Sequence, residues 1–205
     1  MAALYMFVVA PSGLLCFAAP DSAPYGERRL AFARDHLSVY VSGGAISAST
    51  DTDDVYSTWA TLGAVELLVN QFLLEVRAER FLMPEELTYA GVRVGRMSRR
   101  YRTISGGATI GYRAVRGSRP HDGIEIAFPF VTGGPGGWVR FETAYVMSNK
   151  QSSWNYRVQW DRLQGNGPVF LGLRLDLNSW ELRRRGRLSH GVFGVVLGTT
   201  WAAKH

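Results

Sequence analysis

The chain has 205 residues, 46% of them hydrophobic and 20% charged, with a formal net charge of +6. That length suffices for one domain with a sizeable core. No run approaches the roughly 18 consecutive apolar residues of a spanning helix; this argues against a helical membrane protein but not against a membrane barrel, whose strands alternate apolar and polar residues.

The 23 glycines exceed the usual share of about 7%. Together with ten Phe, nine Tyr and six Trp they suit β-structure with tight turns and crowded barrel interiors. Lys150 and Lys204 are the only lysines, so the basic residues are almost all arginine. A GC-rich genome would favour arginine codons; arginine also pairs well with carboxylates at buried or interfacial sites. Composition leaves both readings open.

Met1–Ala23 carries one charge, Asp21. Leu4–Ala10 is apolar, Leu14–Ala19 continues after Pro11-Ser12-Gly13, and Cys16-Phe17-Ala18 sets small residues at both ends of a tripeptide. This resembles the apolar and cleavage regions of a secretory signal peptide, although no Lys or Arg precedes it. The expected division is a leader over residues 1–23 and one domain over 24–205. Cys16, the sole cysteine, would leave with the leader, so no internal disulfide is expected. Tyr25–Asp35 reads as a short helix or a frayed first strand.

From His36 onward the chain reads as strands. Residues 37–48 and 56–69 are weaker candidates. In Phe72–Arg80, Leu74, Val76 and Ala78 alternate with Glu75, Arg77 and Glu79. Residues 88–97 follow, with Arg93 on the polar side, and Ala108–Ala114 sets Ile110 and Tyr112 against Gly111 and Arg113. In Ile124–Phe130 the apolar row opposes Glu125, and in Val139–Tyr145 it opposes Arg140 and Glu142. Trp154–Asp161 sets Trp154, Tyr156, Val158 and Trp160 against Asn155, Arg157, Gln159 and Asp161. Val169–Asn178 is the clearest segment: Val169, Leu171, Leu173, Leu175 and Leu177 oppose Phe170, Gly172, Arg174, Asp176 and Asn178, a strict period of two that only a strand satisfies. Residues 189–201 close the series.

Turn chemistry separates these segments at Asn70-Gln71, Met83–Glu86, Gly133–Gly137, Ser148–Lys150, Gly165–Pro168 and 179–188. The predicted fold is all-β, an antiparallel up-and-down transmembrane β-barrel of about ten strands, with eight as the alternative count. Alternation alone does not say which face is outside. In a soluble barrel the apolar face points inward; in a membrane barrel it meets lipid and the polar face lines the interior.

Three patterns favour the membrane arrangement. The polar faces interleave opposite charges, which a narrow interior needs because a lone buried charge is costly. The expected interior network is Glu75, Arg77, Glu79, Arg93, Arg113, Glu125, Arg140, Glu142, Arg157, Asp161, Arg174 and Asp176. Gly91, Gly95, Gly111 and Gly172 recur within those strands and would leave room for arginines. Trp59, Trp138, Trp154, Trp160 and Trp201 fall near strand ends, as interfacial aromatic girdles do.

On these segments residues 36–201 resemble the small outer-membrane β-barrels of Gram-negative bacteria. The closing segment Val192–Trp201 fits with Phe193, Val195, Leu197 and Trp201 on one face, although Ala202–His205 follow the last aromatic. The resemblance implies the bacterial outer membrane, contact with its lipid and lipopolysaccharide, and no particular ligand.

Chemistry is sparse. His36, His121, His190 and His205 have no metal-ligand spacing, so neither metal nor cofactor is expected. A lipid A-modifying enzyme would draw on Ser189 and His190, with Asp176 or Glu181 orienting the imidazole, but neighbours on a strand face opposite ways. Arg96, Arg99, Arg100 and Arg102 form one basic cluster. Arg183, Arg184, Arg185 and Arg187 form another, on the extracellular side of the meander, suited to lipopolysaccharide phosphates. Nucleic acid is set aside as a partner because the basic residues alternate with acids along strands. The expected role is a structural or surface-interaction barrel with, at most, narrow passage for small solutes. The rivals are the lipid A enzyme and a soluble lipid- or ligand-binding barrel.

Overall fold

A computed structural model of the chain describes residues 5–10, 13–18, 35–50, 55–82, 87–98, 104–117, 121–134, 137–148, 151–164, 168–182 and 186–203. The elements are β1 (Tyr5–Ala10), β2 (Gly13–Ala18), β3 (His36–Thr50), β4 (Val55–Val69), β5 (Phe72–Leu82), β6 (Leu87–Met97), β7 (Ile104–Gly117), β8 (His121–Gly134), β9 (Gly137–Met147), β10 (Gln151–Leu163), β11 (Val169–Leu182) and β12 (Gly186–Ala203). Of the stretch Tyr25–Asp35, read as helix or frayed strand, all but Asp35 lies outside the described residues.

Ten strands, β3 to β12, pair antiparallel with their neighbours in sequence, and β12 returns onto β3 from Leu188↔Thr50 to Ala202↔His36. The sheet therefore closes into a barrel. Because the strand number is even, β3 begins and β12 ends at one mouth, here called proximal; the other is distal. β1 and β2 form a hairpin within the segment read as a leader, and β2 meets β12 through Ala18↔Ala202 and Phe17↔Ala203.

The register fixes the barrel's dimensions. Followed strand to strand from His36, the ladder passes Leu68, Leu73, Gly95, Thr109, Ala127, Ala144, Asn155, Asn178 and His190 and returns to β3 at Ala48, twelve residues further on. With ten strands, this stagger sets the strands about 40° from the barrel axis and the backbone about 10 Å from it. Arginine and glutamate side chains from opposite walls can meet across such a bore.

One connection shows how the register is pinned. Asn70 and Gln71 both have positive φ, 48° and 71°, as a two-residue turn matched to the strand twist requires. The Asn70 N–H donates to Asp35 Oδ1 at 2.9 Å, and the Met97 N–H donates to the Gln71 carbonyl at 2.7 Å. The turn sets Val69 opposite Phe72 and hence Glu66 opposite Glu75.

The two faces have opposite character. Along β11, Leu171, Leu173, Leu175 and Leu177 are 42–52% exposed, whereas Phe170, Arg174 and Asp176 are buried. Trp59, Trp154 and Trp160 point outward, with Tyr145, Trp154 and Tyr156 forming a run of ring contacts. Trp138 corrects the girdle assignment. It shares the inward face with Arg140 and is buried, and its indole N–H donates to Asp161 Oδ2 at 3.0 Å.

The lumenal glycines also differ from a simple reading as space for arginine. A Cβ on Gly111 would fall 2.5 Å from Arg93 Cβ, but one on Gly95 would meet Thr109, and one on Gly172 would collide with Asp161 Oδ1. Gly172→Ala should therefore cost about 1–3 kcal/mol as an overpacked interior. Gly63→Ala, on the outer wall with nothing within 4 Å of the new carbon, should stay within about 0.5 kcal/mol of the parent. Denaturant unfolding of the refolded barrel compares the two.

Candidate functional site in the barrel interior

Inward-facing positions build the interior in three zones. Near the distal mouth Ile46, Ala60, Phe81, Tyr89, Val115 and Val192 form an apolar cluster. Toward the proximal mouth Tyr40, Leu62, Ala64, Trp138, Phe170 and Val196 form another. Charged side chains occupy the bore between them. Among the described residues the buried charges are seven carboxylates and six arginines.

These charges are paired across the bore. Arg77 donates to Glu125 at 3.1 Å and to Glu142 at 3.4 Å. Arg93 donates to Glu75 at 2.6 Å, to Glu125 at 3.4 Å and to Glu142. Arg113 Nε lies 2.5 Å from Glu125. On the opposite wall Arg157 donates to Asp176 through two nitrogens, at 2.8 and 3.3 Å. Arg174 donates to Asp176 and reaches over to Glu79. Asp161 instead accepts from Trp138 and, at 2.8 Å, from Gln159.

The longest reach joins β4 to β9, which stand opposite each other in the ring. Arg140 donates to Glu66 through both terminal nitrogens, one at 2.9 Å, in a forked arrangement that fixes direction as well as distance. His36 lies 3.0 Å from the same carboxylate.

All twelve residues singled out for the interior network are buried and inward-facing. Glu66 and His36 join them without having been singled out. A signal for Glu66 is present in the sequence: the two-residue turn at Asn70-Gln71 pairs it with Glu75 and so puts both on one face. Its partner Arg140 cannot be found that way, because it arrives from the far wall.

The triad candidates do not converge. His190 is buried inside the barrel, whereas Ser189 belongs to the opposite face of β12. Asp176 faces the lumen but is engaged by Arg157 and Arg174. The side chain of Glu181 lies outside the described residues, as do Arg183, Arg184, Arg185 and the side chain of Arg187. Of the other basic cluster, Arg99, Arg100 and Arg102 lie outside them too.

No protein-family model and no curated protein sequence matches the chain. Among solved structures it is similar to neisserial surface protein A, with TM-score 0.42 and 11% identity over 80% of this chain and 96% of that one. It is similar to Ail, the attachment invasion locus protein of Yersinia pestis, with TM-score 0.32 and 6% identity over 80% of this chain and 99% of that one. OccK5 of Pseudomonas aeruginosa gives TM-score 0.34 and 10% identity over 97% of this chain and 80% of that one.

Removing one member of the cross-bore pair strands the other. Glu66→Leu or Arg140→Leu alone should cost about 3–5 kcal/mol, and the double variant less than the sum of the two. A double-mutant cycle on denaturant unfolding of the refolded barrel checks this.

Proposed function

We propose that this protein is a structural or surface-interaction barrel of the bacterial outer membrane, with a filled lumen. The observation that carries the reading is the inverted distribution of side chains. Phe193, Val195 and Leu197 are 50–60% exposed on the wall, while the buried charges neutralise one another within. In water so large an apolar surface would drive association; against lipid it is the favourable face.

The filled interior supports a role other than wide diffusion. Arginine–carboxylate bonds cross the bore between two apolar clusters, so passage of a solute would require them to part. On this reading residues 1–23 are an export leader, and Arg183, Arg184, Arg185 and Arg187 lie at the outer end, where lipopolysaccharide phosphates would meet them. The separation of Ser189 from His190 speaks against the lipid A-modifying alternative.

Stability in lipid, migration in detergent gels, recovery without detergent and bilayer conductance test the proposal. Leu173→Arg, in the middle of the outer wall, should lower stability by about 2–4 kcal/mol in lipid vesicles. The folded parent should migrate differently from the heated one in detergent gels and show no steady open-pore conductance in planar bilayers. Recovery of folded parent from the aqueous fraction without detergent would defeat the membrane reading; a steady, wide conductance would defeat the filled lumen.

A further inference from the structure

A third apolar cluster lies on the outside of the barrel, at the proximal rim. Leu37 and Val69 are buried, with Leu67 and Trp201 packed against them. Trp201, Leu37 and Leu67 follow one another on a single row across β12, β3 and β4, and Val69 is the next outward position on β4. Side chains alternate between the two faces of a strand, so Leu37 shares its face with Val39 and Val41, and Val69 shares its face with Val65. Those three wall residues are 36%, 56% and 42% exposed, whereas Leu37 and Val69 are 3% and 8% exposed. The patch crosses the seam where β12 meets β3.

The burial is a property of the single chain, so the cover belongs to the chain itself. Neighbours on a row do not bury a leucine so far: Leu173, flanked by Trp160 and Val195, stays 43% exposed. β2 joins β12 on the edge away from β3, beside the patch rather than over it. Of the stretches outside the described residues, the longest is 19–34, and its two ends are fixed at the two sides of the patch. Ala18 pairs with Ala202, next to Trp201. Asp35 accepts a hydrogen bond at 2.9 Å from the N–H of Asn70, next to Val69. β12 and β4 stand about 10 Å apart across β3, and a stretch of this length exceeds that span several times over.

We propose that residues 24–34 dock on this patch and brace the closing seam from outside. Tyr25, Leu30 and Phe32 supply apolar surface to meet Leu37, Leu67, Val69 and Trp201, while Glu27, Arg28, Arg29 and Arg34 stay on the water side. The Asp35–Asn70 hydrogen bond already holds the end of the segment beside the patch, so docking is an intramolecular step and a few buried apolar side chains suffice to drive it. Because the patch lies across β12, β3 and β4, the docked segment ties the first strand of the barrel to the last. These residues follow the stretch read as a leader, so the contact outlasts its removal. The docking depends on the rim alone, whatever surrounds the rest of the wall.

Cross-linking of the full chain refolded in detergent tests it. Cys16→Ser removes the native thiol. Phe32→Cys is then paired either with Leu67→Cys in the patch or with Phe128→Cys, 57% exposed on β8 across the barrel. A short bismaleimide should join the first pair within one chain at least about tenfold faster than the second, as a held neighbour against a chance encounter. If the Leu67→Cys variant does not refold, Trp201→Cys takes its place with the same expectation. Leu30→Ser/Phe32→Ser should speed hydrogen exchange at the Leu37 and Trp201 amides at least about tenfold. Equal rates for the two cysteine pairs would overturn the proposal. So would a product found only between two chains, which would assign the cover to a second copy, or unchanged exchange in the serine variant.

Discussion

The structure depends on mutual neutralisation of charges that the barrel has taken out of water. An isolated buried carboxylate or guanidinium carries a desolvation cost that no small domain can absorb. Among the described residues, seven carboxylates and six arginines share this interior. They are tolerable because the barrel's radius lets side chains from opposite walls touch. The forked Arg140–Glu66 contact between facing strands is the longest of these spans and ties the two halves of the wall together.

This arrangement also explains the chain's basic character. The described buried side chains are nearly balanced in charge, whereas the rest of the sequence holds 17 basic and 10 acidic side chains. The surplus positive charge therefore lies outside the described set of buried side chains. Arginine suits the interior because its planar fork can serve two or three carboxylates at once, as Arg93 does with Glu75, Glu125 and Glu142.

The neutral wall from Ser153 to His190 has another character. It brings buried Ser153, Asn155, Asn178 and His190 together on three neighbouring strands. The bore thus has a charge-paired middle and a polar wall nearer the distal mouth. Phe81 and Tyr89, facing that wall, supply apolar surface without adding charge.

Much of the fold is legible in the sequence because a strand's side chains alternate with a period of two. The run Val169–Asn178 determines its own two faces, and the breakers at Asn70-Gln71 and Gly165–Pro168 mark where strands reverse. Tight-turn geometry even holds the place of Glu66. Trp138 is misassigned when proximity to a strand end is weighed above its parity with Arg140. What the sequence by itself does not determine is closure: the β12–β3 pairing and the twelve-residue stagger join segments far apart in the chain. That stagger sets the radius, and the radius decides whether Arg140 reaches Glu66 and whether Asn155, Asn178 and His190 fall in one row. Local periodicity dictates which way a side chain points; only the closed register decides what it meets.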